Sequence, residues 1–254
     1  MIFRHWLREQ AYLAIGYAVL LVINVGFAVT YWPDLRDNFP DLIKFIPLEP
    51  LQQFVRAWDE YGFWAYFSVQ QFWKGAGVFA VAAAGLMGTG LVARDVDNRT
   101  AELLLSRPIS RGRVLFARWS AGALLLIVPL FATTALGVVL APRVNEAVGW
   151  LPALQATAYA SLFVLCVYTL TAALSARFSH QMKAAIVVLG FMLLQFAFYL
   201  IKVLWDWSLY NLIDLDPLMP IADGTFPWRN AMAMAGACLV FYGAAWLQFE
   251  KRDF

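Results

Sequence analysis

Ionisable side chains are nearly absent from the apolar stretches of this chain. No Asp, Glu, His or Arg falls inside any of the long hydrophobic runs, and Lys202 stands at the outer end of one of them. Proton-coupled carriers and intramembrane proteases work through such groups at depth, so the sequence supplies neither ion coupling nor catalysis inside a bilayer. Histidine is just as scarce. His5 and His180 both lie outside the runs, where a plain surface role is the expectation. The only cysteines, Cys166 and Cys238, sit within apolar runs and read as buried free thiols. The phosphate-loop pattern GxxxxGK[ST] does not occur, so Gly85, Gly88 and Gly90 are packing glycines rather than a nucleotide cradle. Asp206, Asp214, Asp216 and Asp223 do not follow the spacing of a calcium loop. Charged residues make up only 14% of the chain, against about 25% in soluble domains.

What is abundant is hydrophobic surface, at 62% of residues. A chain of this composition cannot cover itself with polar groups, and six stretches approach the length of about 20 uncharged residues that a helix needs to cross a bilayer. The expected fold is therefore an all-α integral membrane protein with spans near residues 11–32, 74–93, 119–140, 153–174, 184–203 and 230–249. The runs are continuously apolar, whereas barrel strands alternate. With the N-terminus inside, the inner segments hold twelve Lys and Arg residues and the outer segments seven, while acids divide six inside and eleven outside. Positive-inside bias then places both termini in the cytoplasm. The run after Met1–Gln10 is too long for a signal-peptide core and has no small-residue cleavage site. That stretch is expected to be retained, either as a short interfacial helix or as a frayed end.

Between the first two spans lies a long outer segment. Pro50 suits the first turn of a helix, and Leu51, Phe54, Val55 and Trp58 fall on one face opposite Gln52, Gln53, Arg56, Asp59 and Glu60. This predicts an amphipathic helix resting on the outer leaflet, ended by Gly62. Phe63, Trp64, Tyr66, Phe67, Phe72 and Trp73 then read as an interfacial aromatic belt. A membrane-resting connector is the plainer reading of this segment and a substrate lid the sharper one. Residues 204–229 are too apolar for a free loop and predict short interfacial or re-entrant helices. The second span is rich in Gly and Ala, and the sixth repeats the theme with Ala231, Ala233, Ala235, Gly236 and Ala237, as expected of close helix packing in lipid. Among the polar residues in the spans, Asn24 and Gln195 satisfy themselves least easily. They are candidates either for interhelical hydrogen bonds or for a translocation path.

The longest charged interruption is residues 94–118, RDVDNRTAELLLSRPISRGRVLFAR, with six arginines. Arg94 closes the second span, and Asp95, Asp97 and Asn98 predict a turn. Thr100 suits the N-cap of a short helix over 101–106, with Glu102 in its first turn. Arg107 precedes Pro108, which stops that helix. Ser110 can cap the next one, beginning at Arg111. Arg111 and Arg113 then stand in a first turn, where cations are disfavoured by about 0.3–1 kcal/mol each. Leu103, Leu104 and Leu105 occupy a helix too short to hold by itself in water. A short apolar helix beside misplaced cations points to a partner outside the chain.

The run from Thr100 to Arg111, TAELLLSRPISR, resembles the loop of type-2 ATP-binding-cassette (ABC-2) exporter permeases, and Arg118 fits the basic position that follows it there. Arg99 departs from the family, which usually has Gly at that place. The six spans, the long outer segment after the first and the semi-apolar segment before the last are also similar. The resemblance implies a multi-pass transport subunit of a prokaryotic plasma or inner membrane, itself no enzyme. It implies a coupling loop over 94–118, with Glu102, Leu103, Leu104 and Leu105 docking into a separate cytoplasmic ABC ATPase and with Arg107, Arg111 and Arg113 contacting that ATPase or lipid phosphate. A second permease chain, identical or not, is implied as well. ATP and magnesium belong to the partner, no cofactor to this chain, and nucleic acid is no partner. The alternative is a non-transporting scaffold whose basic loop binds anionic lipid or a protein.

Overall fold

The computed structural model describes residues 2–38, 46, 49–98 and 110–252. Within them the chain is helical and forms no strand. Helix α1 (Ile2–Asp37) is followed by α2 (Glu49–Ser68), a π-helical segment (Val69–Ala80), α3 (Val81–Thr89) and the short α4 (Ala93–Asp97). Then come α5 (Arg111–Leu140), α6 (Trp150–Arg177), α7 (Gln181–Leu200), α8 (Leu215–Ala222) and α9 (Trp228–Lys251), with one 3₁₀ turn after α5 and two after α7. Six helical units are long and apolar enough to cross a membrane, the second being the continuous run Leu51–Thr89.

Local chemistry accounts for several helix starts. Pro50 lies in the first turn of α2 and Pro152 in that of α6, where a missing N–H costs nothing. Ser110 is the N-cap of α5, its Oγ accepting from the Arg113 amide at 3.4 Å. Asp214 caps α8 by accepting the Leu215 amide at 2.8 Å. The N-terminus of α7 is closed from a distance: its Gln181 amide donates to Asp97 Oδ2 at 3.3 Å.

The interior is built around α6 and the second helical unit. About 72% of the second unit's most apolar window is buried, against 17% for α9. Helix α6 packs on α9, α3, α5 and the π-helical segment, and α1 lies along α5. The second unit approaches closely because it carries glycine. A Cβ on Gly88 would meet the Thr171 side chain at 2.7 Å, and one on Gly85 would meet Leu189 at 2.8 Å. Gly137 of α5 gives way to the fully buried Phe67 in the same manner. Gly236 of α9, in contrast, has nothing within 4 Å of its Cβ position, so the small residues of the last span do not all serve packing within this chain. Gly137→Ala is accordingly expected to cost about 1–3 kcal/mol through a clash that neighbours cannot relieve. Gly236→Ala should be neutral or slightly stabilising. Thermal unfolding of both variants in detergent checks the pair.

The sequence expectation for 51–73 needs correction. The break falls at Gly62 as expected: that glycine, at φ 62° and ψ −143°, is non-helical and kinks the chain between two helical pieces, a conformation that costs glycine little. What differs is where the two faces go. Phe54 and Val55 are therefore buried in the bundle, Phe54 lying 5.2 Å from the Trp73 ring and 6.2 Å from Tyr199. Phe63, Tyr66, Phe67 and Phe72 form no belt, because they are buried too. Aromatic faces supply large area and pair edge to face, and once Gly62 redirects the chain, protein surface competes successfully with the membrane interface for them.

The start of α1 and the last turn of α9 lie at the end of the bundle that carries the charged segment. Trp6 stacks under Arg118, with 5.1 Å from guanidinium carbon to ring centre, and Arg111 reaches the last turn of α9.

Candidate functional site

The charged segment enters and leaves the bundle through a dense set of polar contacts. On the entry side the second helical unit breaks after Thr89. Ser175 of α6 fills the break: its Oγ donates to Thr89 O at 2.7 Å and accepts the amides of Val92 at 3.1 Å and Ala93 at 2.9 Å. One buried hydroxyl thus satisfies three backbone groups that the break would orphan. The chain resumes as α4, so Asp95 and Asp97 belong to a short helix rather than the expected turn. Each of them faces a different neighbour.

Asp95 pairs with Arg118 of α5. The same guanidinium donates to Leu91 O at 2.8 Å and lies over Trp6, so a single planar fork joins α1, α4, α5 and the break. Arg118 is only 6% exposed. The sequence pattern marked it merely as the last basic position of the loop, and nothing local signalled its burial. Asp97 turns to α7 instead. Its carboxylate meets His180 Nδ1 at 3.0 Å and the Gln181 amide. The His180 hydrogen bond, and after it the amide, hold the Asp97 carboxyl below its usual range. Gln181 Nε2 also reaches Thr89 Oγ1 at 3.3 Å. Arg94 lies 4.0 Å from Glu9 of α1.

On the exit side Arg111 corrects the sequence argument. Its position in the first turn of α5 disfavours a cation locally, yet its Nη1 donates to three carbonyls, those of Phe249 and Glu250 at 3.0 Å and of Arg252 at 2.6 Å. A cation misplaced on its own helix is well placed at the C-terminal dipole of another. Arg252 repeats the device, donating to the carbonyls of Ala176 at 2.7 Å and Phe178 at 3.0 Å at the end of α6. Arg111, α9, Arg252 and α6 therefore form one linked series. Arg113 is exposed. Glu102, Leu103, Leu104, Leu105 and Arg107, with Arg99 and the expected Thr100 cap, lie outside the described residues.

The two amides singled out within the spans brace irregular backbone. Asn24 donates to Gln70 O at 2.8 Å in the π-helical segment. The Oε1 of Gln195 accepts the Leu209 amide at 2.9 Å, and its carbonyl accepts Ser208 Oγ at 2.8 Å. A third amide escaped the sequence reading. Gln71 is fully buried, its Nε2 within 3.1 Å of Leu130 O, 2.9 Å of Thr133 Oγ1 and 3.0 Å of Thr134 Oγ1. Thr157 of α6 donates to Thr134 at 2.9 Å and extends the group to a third helix. The second span is expected from the sequence at 74–93, which leaves Gln71 in the outer segment before it. Gln71→Ala should destabilise the bundle by about 1–3 kcal/mol, the cost of unpairing buried hydroxyls across helices. An unchanged thermal midpoint would show the group to be dispensable.

Among the described residues no three His, Cys, Asp or Glu side chains converge as metal ligands. No curated protein matches the chain. A family model does, described as ABC-2 family transporter protein, over residues 3–205. The match takes in α1 through α7, the charged segment and every contact at its base except those of the final helix. This chain belongs to the ABC-2 family of transporter proteins.

Proposed function

We propose that the chain is the membrane-spanning subunit of an ATP-driven exporter and that residues 94–118 form its coupling loop on the cytoplasmic side. A separate ATPase supplies the energy and holds ATP and magnesium. A second permease chain completes the path through the prokaryotic plasma membrane, and membrane lipid surrounds both. The observation that best supports this reading is the way the loop is tied at both ends. Asp95, Asp97 and Ser175 fasten its entry to α5, α7 and α6. Arg111 fastens its exit to α9. A push on a loop held in this way moves several spans together instead of bending one connector, which is what a motor acting from outside needs. In this reading Glu102 to Leu105 dock into the ATPase, Arg107 and Arg113 contact it or nearby phosphate, and Arg111 passes displacement to the last helix. Asn24 and Gln195 border the path while bracing the backbone beside it.

The test is co-purification of the chain from its native membrane with an ABC ATPase. Glu102→Lys combined with Leu104→Lys is expected to abolish it, while the permease alone keeps its thermal midpoint in detergent. Full assembly and transport by that double variant would overturn the docking role. A scaffold that works through its basic loop predicts something different: binding to acidic liposomes that falls steeply with salt and no nucleotide-binding partner.

A further inference from the structure

Two thiols within the spans are used by none of these contacts. Cys166 of α6 and Cys238 of α9 face each other across the most extensively packed pair of helices. Their sulfurs are 3.1 Å apart, and both are free thiols. The Cys166 thiol also lies 2.9 Å from Met234 O, which fixes it on the side of α6 that meets α9. A disulfide needs its sulfurs at about 2.05 Å, so bond formation asks for a shift of about 1 Å, within reach of side-chain rotation. Cys166 further borders a cavity of about 370 Å³ between α6, α7 and α9, walled by Phe191, Met192, Leu212, Met234 and Phe241. The pair thus combines bonding distance with an apolar approach.

We propose that Cys166 and Cys238 form an oxidisable dithiol site served by an apolar two-electron acceptor of the quinone class, which enters from the bilayer through this cavity. Each thiol gives up its hydrogen, the sulfur–sulfur bond forms, and two electrons and two protons pass to the quinone oxygens to give a hydroquinone. Reactants and products are all neutral. That neutrality selects the chemistry, since a monovalent soft metal ion held by two thiolates would leave net negative charge in apolar surroundings, at high cost, and a divalent one finds no third His, Cys, Asp or Glu ligand beside the pair among the described residues. A charged oxidant such as glutathione disulfide meets the same barrier. The product joins α6 to α9, the two helices whose ends Arg252 already links, and fixes their relative position.

The test uses the full chain in liposomes of neutral lipid, first reduced and then freed of reductant without oxygen. Duroquinone is the probe, because its ring is fully substituted and cannot add a thiol. Samples are denatured, treated with a maleimide and weighed intact. Duroquinone is expected to convert most molecules to a species that has lost two hydrogens and no longer takes up maleimide. Glutathione disulfide at equal concentration should leave both thiols open to alkylation. Cys166→Ser and Cys238→Ser, each with one remaining thiol, should stay fully alkylatable under duroquinone. Thiols that remain reactive in the wild-type chain would overturn the site. Equal oxidation by glutathione disulfide would overturn the route through the bilayer.

Discussion

Arg118→Ala should lower stability more than any other single truncation at the loop end, by about 3–5 kcal/mol, the usual effect of leaving one partner of a buried ion pair alone. The guanidinium holds Asp95 and Leu91 O together and covers Trp6, so its loss removes the cation beside an acid, a donor to a carbonyl and the cover of an aromatic face at once. Arg118→Lys keeps the charge but not the planar fork, and most of the loss should remain. The decisive measurement is a double-mutant cycle by thermal unfolding in detergent. Arg118→Ala in an Asp95→Asn background should cost less than in the wild type, because the charge–charge attraction of the pair is then already gone. Strict additivity would show that the pair contributes nothing of its own. If the loop transmits force as proposed, the variants that still assemble with the ATPase should hydrolyse ATP without transport.

Asp214→Asn should change the pH dependence of stability rather than the fold. Asp214 lies between α7 and α8, outside the spans, and is 5% exposed. Burial pushes its carboxyl from 3.8 up to about 6, with a smaller push from Asp216, against the opposing pull of the Leu215 amide and Tyr199. The folded state therefore binds the proton more tightly than the unfolded one. Below about pH 4 both states are protonated and the site costs nothing. As pH rises to about 6 the fold must carry a poorly solvated carboxylate, and stability falls by about 3 kcal/mol before levelling off. Asparagine can still accept the Leu215 amide but never ionises. The variant should thus be more stable than wild type at neutral pH and lose that advantage on acidification. Asp97, whose depressed carboxyl acts in the opposite sense as pH falls, is common to both proteins and drops out of the difference. A constant gap between the two curves from pH 4 to 7 would contradict the assignment.

The legible part of this protein was whatever depends on local composition. Long uncharged runs gave six apolar helices, because a bilayer-length segment must satisfy its own backbone groups. Pro50, Ser110 and Pro152 marked helix starts through chemistry confined to one turn. Gly85 and Gly88 were recognisable as packing residues, and the TAELLLSRPISR run pointed to the family that the match over 3–205 establishes.

Partnerships between distant residues were not legible. Gln71 fell before the expected second span and is a buried hub. Phe54 and the aromatic cluster looked like a membrane-surface device and became core once Gly62 redirected the helix. Arg111 looked like a cation without a partner and sits on the end of α9, more than a hundred residues away. By itself the sequence determined that the chain crosses a membrane as helices, where several of those helices begin, and which segment is charged. Only the tertiary structure decided which polar groups meet. A buried amide, guanidinium or carboxylate is stabilised by its partners in space, and side chains brought together across helices leave no periodic trace in the chain that carries them.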